Sequence, residues 1–373
     1  MRIAYISLAS PFSRQSWSGI PWYSHREILR RFPNTHVIET PRLDWLINHG
    51  SNLERLGLNI RRNPGIARQF SRVVDQALEK LQPDAVVAVA AAHKIAYINP
   101  KWPLVYAADA MYGTVIDYYH KYAKLSPRVR QQGHDVQAAM LERADRLLLS
   151  SEWAIDTAKH AYELEDRRFE LVPMGANLDE DPGYCPPDVD RPLSLLFVGY
   201  AWERKGGDLA LETWRILRER TGNAEFHIVG ARPESAMGLP GVYLHGKINK
   251  SDRHDYARLS ELYAKCHFFV MPSRQEAYGI VFCETAAFGR PAVAQATGGV
   301  TTVVQDGKTG LLVPPGAEPA QIAQRILDAW SDKANYIGLC EAARERYSTV
   351  LNWNCWGEVT AAVIDKVVAE RRR

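Results

Sequence analysis

The sequence predicts an α/β protein made of two successive parallel-sheet units. Three observations predict it. The chain has 373 residues, and a compact domain holds roughly 100–200. Short apolar runs alternate with amphipathic helical stretches, the pattern of βαβ units. That alternation is interrupted once, by the acidic, proline-rich stretch 177–191, and then restarts.

In the first half, residues 3–8, 37–39, 85–89, 104–107, 146–149 and 169–172 read as strands. Residues 23–32, 68–81 and 136–144 between them have helical periodicity. In the second half the strands are 193–198, 226–229, 242–244, 268–271, 292–294 and 310–313. The Asp179-Glu180-Asp181-Pro182 run and Pro186-Pro187-Asp188 make the best linker. The expected seam therefore lies near residue 187, with units 1–187 and 188–351.

Composition excludes several classes. With 46 Lys and Arg against 43 Asp and Glu the net charge is +3, so a nucleic-acid partner is not expected. An apolar share of 46% against 24% charged residues is that of a folded protein. No apolar run approaches the roughly 18 residues that a membrane span needs. Met1-Arg2 leads straight into the first strand without the apolar core of a signal peptide. Cys185, Cys266, Cys283, Cys340 and Cys355 are odd in number, with no Cys-x-x-Cys pair. Reduced thiols in a cytoplasmic protein are expected.

The densest stretch runs from Phe268 to Pro291. A buried strand ends at Pro272-Ser273, a loop follows, and a helix over 279–288 stops at Gly289-x-Pro291. The first amides of such a helix attract a phosphate. Glu276 lies just before the helix and Glu284 about two turns further on. A carboxylate accepts two hydrogen bonds side by side, which suits vicinal hydroxyls on a sugar or ribose. Either glutamate alone reads as a solvated surface residue. Framed by Pro-Ser and Gly-x-Pro, the two read as a site.

A second stretch, 195–211, is a strand ending at Gly199, a loop with Arg204 and Lys205, then Gly206-Gly207 and a helix with Asp208 as its N-cap. Cations there suit a diphosphate. Gly19, in the loop after the first strand, lets a backbone approach a ligand. Asp109 follows the strand 104–107, where it is either an acceptor at the strand end or the cap of the next turn. Lys247 follows the strand 242–244, where a base or phosphate contact can form. His120 and His254 lack partners at metal or triad spacing. Arg55, Arg61, Arg62, Arg68 and Arg72 make a basic run without an acidic residue between them. Such a face is either solvated or turned to an anionic lipid or acceptor.

Together these residues resemble the retaining glycosyltransferases of family 4, which have the GT-B fold. Glu276 and Glu284 match that family's Glu-x7-Glu motif. Gly298-Gly299, Asp306-Gly307 and Thr309-Gly310-Leu311-Leu312-Val313 resemble its following segments, and Val198-Gly199 through Lys205-Gly206 its diphosphate loop. Ala144-Asp145-Arg146-Leu147 to Ser150-Ser151 and Val172-Pro173-Met174-Gly175-Ala176-Asn177 resemble the end of its first domain. The likeness covers most of 144–315. Glu-Gly-Phe-Gly of many members is here Glu276-Ala277-Tyr278-Gly279. Tyr200 stands where many have arginine, and Asp109 lies near a common histidine.

The resemblance implies two Rossmann-like domains facing across a cleft, with residues 352–373 returning to the first. It implies a nucleoside-diphosphate sugar as donor, a sugar, glycolipid or glycoconjugate as acceptor, and no metal or other cofactor. Glu276 would bind the transferred hexosyl unit. Ala277, Tyr278 and Gly279 would offer backbone amides, Glu284 would hold the ribose, and Arg204 and Lys205 would neutralise the diphosphate. Lys247 and Ile248 would border the base. Polysaccharide or glycolipid synthesis in the cytoplasm, with peripheral association at the inner membrane face, is the implied setting. A glycosidase, a nucleotide-sugar epimerase and a non-catalytic nucleotide-sugar-binding subunit are the alternatives.

Overall fold

The computed structural model describes residues 1–54 and 60–373. It forms two units, Met1–Val172 with Trp356–Arg373, and Pro173–Cys355.

The first unit holds strands β1 (Arg2–Ser7), β2 (Asn34–Val37), β3 (Ala85–Val89), β4 (Leu104–Ala108), β5 (Arg146–Leu149) and β6 (Phe169–Leu171). They form one parallel sheet in the order β2-β1-β3-β4-β5-β6. β3 and β4 are wholly buried, which explains their unbroken apolar sequence. The helix Pro64–Leu81 shows why these connections fold as they do. Asn63 caps it by accepting from the amides of Gly65 (2.9 Å) and Ile66 (3.2 Å). Ala67, Phe70, Val74 and Leu78, spaced by three and four, all face the core.

The basic run of the first half begins at Arg55, which lies outside the described residues. Within the described part, Arg62 stacks over the Tyr112 ring at 3.9 Å and Arg68 over Tyr97 at 4.6 Å. Part of this charge is therefore packed on the unit's own aromatic rings. Among the described residues no helix is long and apolar enough to cross a membrane.

The last helix, Trp353–Arg372, contributes all but its first residues to the first unit. Trp356, Val363, Ile364, Val367 and Val368 are buried at helical spacing. Glu370 pairs with Arg146 at 2.7 Å, Arg371 with Asp145 at 2.7 Å and Arg372 with Asp84 at 2.8 Å. These exposed pairs contribute little each, so the apolar stripe carries the attachment.

The second unit holds β7 (Ser194–Gly199), β8 (Glu225–Gly230), β9 (Val242–Gly246), β10 (Phe268–Val270), β11 (Ala292–Gln295) and β12 (Gly310–Val313). They too are parallel, in the order β12-β11-β10-β7-β8-β9. Counted from the unit's first strand this is the doubly wound order 3-2-1-4-5-6. Its direction of winding reverses between β7 and β10, and ligands bind beyond the carboxyl ends of strands at such a reversal.

The structure moves the seam. The division falls between Val172 and Pro173, not near residue 187. The acidic, proline-rich stretch and the residues that lead into it are bound to the rest of the second unit. Tyr278 donates to the Met174 carbonyl (2.7 Å) and Arg344 grips Asp181 (2.7 and 2.8 Å). Arg290 donates to the Cys185 carbonyl, and His267 to that of Asp188, both at 2.8 Å. Proline and acidic residues mark irregular backbone, and irregular backbone here is a strap with satisfied polar groups.

Truncating Trp356, 2% exposed, to alanine is expected to cost about 3–5 kcal/mol. Urea unfolding followed by circular dichroism checks this. A midpoint unchanged from wild type would show that the last helix does not hold the first unit together.

Candidate functional site

Of the residues singled out in the second unit, Arg204, Lys205 and Glu276 come together at the β7–β10 reversal. β7 ends at Gly199, and the loop that follows brings Arg204 and Lys205 over the end of the sheet. Gly206 closes this loop with φ +70°. A Cβ there would lie 2.0 Å from the Pro272 carbonyl oxygen, so only glycine lets the loops after β7 and β10 touch. The Arg274 amide donates to the Arg204 carbonyl at 2.9 Å, and its guanidinium pairs with Asp208 at 2.6 Å. Gly206, in the left-handed conformation, is therefore the N-cap of the helix Gly207–Thr221. Asp208, expected as that cap, sits in the first turn and serves instead to tie the two loops.

Glu276 is buried in the loop after β10. Its Oε2 pairs with the Lys205 ammonium and lies 3.7 Å from the Arg204 guanidinium. Arg204 also donates to the Gln275 carbonyl at 2.8 Å. One carboxylate thus meets two cations, and the cluster keeps one positive charge in excess. Three residues on, Gly279 turns the chain into the helix Ile280–Ala287 with φ +86° and no side-chain cap. Its missing Cβ would meet the Phe282 ring at 2.5 Å and Glu276 Cγ at 3.2 Å. The turn that aims the helix start therefore also seats Glu276. Ala277 and Tyr278, between Glu276 and Gly279, are both buried. The Tyr278 side chain is committed to Met174, so this residue has only its backbone to offer the site.

Glu284 lies on the same helix, 2% exposed. Its Oε1 pairs with Lys250 at 2.5 Å and its Oε2 accepts from the Tyr263 hydroxyl at 3.0 Å. Burial, and then the neighbouring carboxylate, hold the Tyr263 hydroxyl well above its ordinary range, so it stays a donor. Lys250 and Tyr263 were not singled out from sequence, since both lie far along the chain from Glu284. The signal available was physical: a buried carboxylate requires donors, and the loop and helix after β9 hold a lysine and a tyrosine.

That helix, Arg253–Lys265, is fixed to β9 by a relay. Arg258 donates to His245 Nδ1 at 2.9 Å, which leaves His245 Nε2 as the donor to His227 Nδ1 at 3.0 Å. Burial, then His227 and Arg258, lower His245 to about 4. Lys247, expected beside the base, is exposed after β9, and Ile248 is buried with its carbonyl 3.5 Å from the Tyr200 hydroxyl. Gly19 and Asp109 belong to the first unit. Gly19 starts the helix Ile20–Arg31 at φ +86°, after Trp17 and Ser18 at φ 45° and 56°. Asp109 follows β4 and its carbonyl accepts from the Ser150 hydroxyl at 3.5 Å.

Two Asp-x-Asp triplets, 179–181 and 188–190, also occur in the strap. In the first, Asp181 is held by Arg344; in the second, Asp188 accepts from the Asp190 amide at 3.3 Å. Among the described residues no group of three or more His, Cys, Asp or Glu is arranged to hold a metal ion.

Two predictions follow from this geometry. Tyr263→Phe removes a donor from a buried carboxylate and is expected to cost about 1.5–3 kcal/mol in denaturant unfolding; an unchanged midpoint would mean the bond carries nothing. A histidine held neutral in the fold resists a proton that the unfolded chain accepts. Stability is therefore expected to fall as pH drops from about 6.5 toward 4, and a His245→Gln variant should lose less over that window.

Comparison with known proteins agrees with this layout. Residues 192–332 match the family described as glycosyl transferases group 1. The D-inositol 3-phosphate glycosyltransferase of Geodermatophilus obscurus is 29% identical over 252 residues, 61% of this chain and 53% of that protein. The chain thus spans about half the length of such relatives. The sucrose-phosphate synthase of Thermosynechococcus elongatus superposes with a TM-score of 0.72 at 18% identity, over 99% of this chain and 100% of that one. HepE of Anabaena, solved with UDP and glucose, gives 0.65 at 14% identity over 98% and 99%. The fold is GT-B, and within it the stretch 192–332 of the second unit is similar to the glycosyl transferases group 1 family.

Proposed function

We propose that this protein is a retaining glycosyltransferase. It moves a hexosyl unit from a nucleoside-diphosphate sugar to an acceptor hydroxyl in polysaccharide, glycolipid or glycoconjugate synthesis. The observation that carries this reading is the Arg204–Lys205–Glu276 cluster beside the uncapped helix start at Gly279. It sets a buried sugar-binding carboxylate next to an excess of positive charge. The family match, and the UDP and glucose held by HepE, support it.

In the transfer, the bond from the anomeric carbon to the β-phosphate oxygen breaks and a bond to the acceptor oxygen forms on the same face. The acceptor's proton passes to the leaving phosphate. Negative charge grows on that phosphate in the transition state. Arg204, Lys205 and the first amides after Gly279 stabilise it, since they are already oriented. Ligand hydroxyls on Glu276 free both cations for the diphosphate. This supply of charge is why no metal is invoked. Glu276 binds and orients the sugar and is not assigned as a nucleophile. The first unit carries the acceptor, with glycolipid acceptors met at the inner membrane face of the cytoplasm.

A thermal-shift panel of UDP, GDP, ADP and TDP and their sugars is expected to raise the melting temperature with one base. Glu276→Ala is expected to lower transfer by at least a thousandfold while the nucleoside diphosphate still shifts melting. Near-normal turnover in that variant would remove Glu276 from the mechanism. Conversion of the nucleotide sugar to an epimer without acceptor would replace transfer with epimerisation.

A further inference from the structure

Glu284 presents a problem of access. Its carboxylate offers the two acceptor oxygens that vicinal hydroxyls need, yet the residue is 2% exposed. Among the described residues its side chain has two partners, one on each oxygen: Lys250 on Oε1 and Tyr263 on Oε2. They differ in mobility. Tyr263 is 0% exposed within the helix Arg253–Lys265 and packs its ring on Phe288 at 5.4 Å between centroids, so it cannot leave. Lys250 stands on a turn, its side chain 30% exposed. That turn is clipped to the start of the same helix by the Asn249 amide on Asp255 (2.9 Å) and closed on itself by the Ser251 amide on the Asn249 side chain (3.1 Å). The backbone is set, and the lysine stem is what can swing.

We propose that Lys250 is a built-in plug for the Glu284 carboxylate, an ammonium that stands in for the hydroxyls of the donor's ribose and is displaced when they bind. This rests on the nucleotide reading above and adds a specificity device to it. The physical logic is competition for one acceptor. An unpartnered carboxylate at this depth is costly, so between turnovers the chain supplies its own donor. A partly exposed lysine pays rotamer entropy to hold this position, which keeps the plug removable. The ribose must provide a second donor and good geometry to replace it, while Tyr263 keeps Oε2 in place for both occupants. Apparent affinity for a ribonucleotide is then the intrinsic affinity reduced by the fraction of chains in which the plug is open. Lys250 touches neither the anomeric carbon nor the acceptor in this scheme. It acts through Glu284 and is a positioning residue.

The test is calorimetric titration of the full chain with the tightest binder among UDP, GDP and ADP, and with the 2′,3′-dideoxy form of the same diphosphate. The quantity read is the ratio of the two affinities. In Lys250→Ala the ratio is expected to rise about tenfold over wild type, because ribose no longer competes with an ammonium. The dideoxy affinity should stay within twofold, which also reports an intact fold. Lys250→Arg keeps a cation on the carboxylate and should keep the wild-type ratio. Glu284→Ala should bring the ratio near one, and adding Lys250→Ala to it should change nothing further, as expected for residues acting as a unit. A ratio that is unchanged or lower in Lys250→Ala would overturn the plug, as would an equal loss for both ligands, which would make Lys250 a phosphate or structural contact. A wild-type chain that binds none of the three diphosphates would overturn the nucleotide reading itself.

Discussion

The second unit is organised around one electrostatic constraint: a carboxylate, Glu276, buried where two loops meet and held there by Lys205 and Arg204. The sheet order makes that meeting possible. Because winding reverses between β7 and β10, the loops leaving those two strands are neighbours with no helix between them. Their contact is closed by Gly206 against the Pro272 carbonyl and by the Arg274–Asp208 pair. Remove either and the cations lose their register over the carboxylate. The cost of burying Glu276 is offset by the two cations beside it.

Glu284 repeats the same physics with different partners. It too is buried and supplied with one cation, but it adds a fixed hydroxyl, Tyr263, from the helix Arg253–Lys265. That helix is anchored on β9 through Arg258, His245 and His227. The two glutamates thus hang from one short helix, Ile280–Ala287, and its lead-in turn, while their counter-cations come from the loops after β7 and β9. A buried charge pair specifies geometry more than it stabilises. Here it sets the spacing of the two carboxylates.

Much of the fold was legible from sequence because parallel strands buried on both faces leave unbroken apolar runs. Ala85–Val89, Arg146–Leu149 and Gly310–Val313 are bounded in the structure as their sequence predicts. The seam was not legible. A stretch rich in proline and aspartate looks the same whether it swings free or is strapped down, and what straps this one down, Arg344, Arg290, His267 and Tyr278, lies 79 to 163 residues away. The candidate site divided along the same line. Glu276, Glu284, Arg204 and Lys205 sit at fixed short spacings within strand–loop–helix units, which a sequence displays. Lys250 and Tyr263 join Glu284 only through tertiary packing, and Asp208 left its expected capping role for a partner 66 residues on.

The most direct test of the central claim is a crystal structure of the chain with the bound nucleoside diphosphate. The expected result puts the phosphates against Arg204, Lys205 and the amides after Gly279, with the ribose hydroxyls on Glu284 and the Lys250 ammonium moved off it. Phosphates seated anywhere else in the second unit, with Lys205 still paired to Glu276, would contradict it.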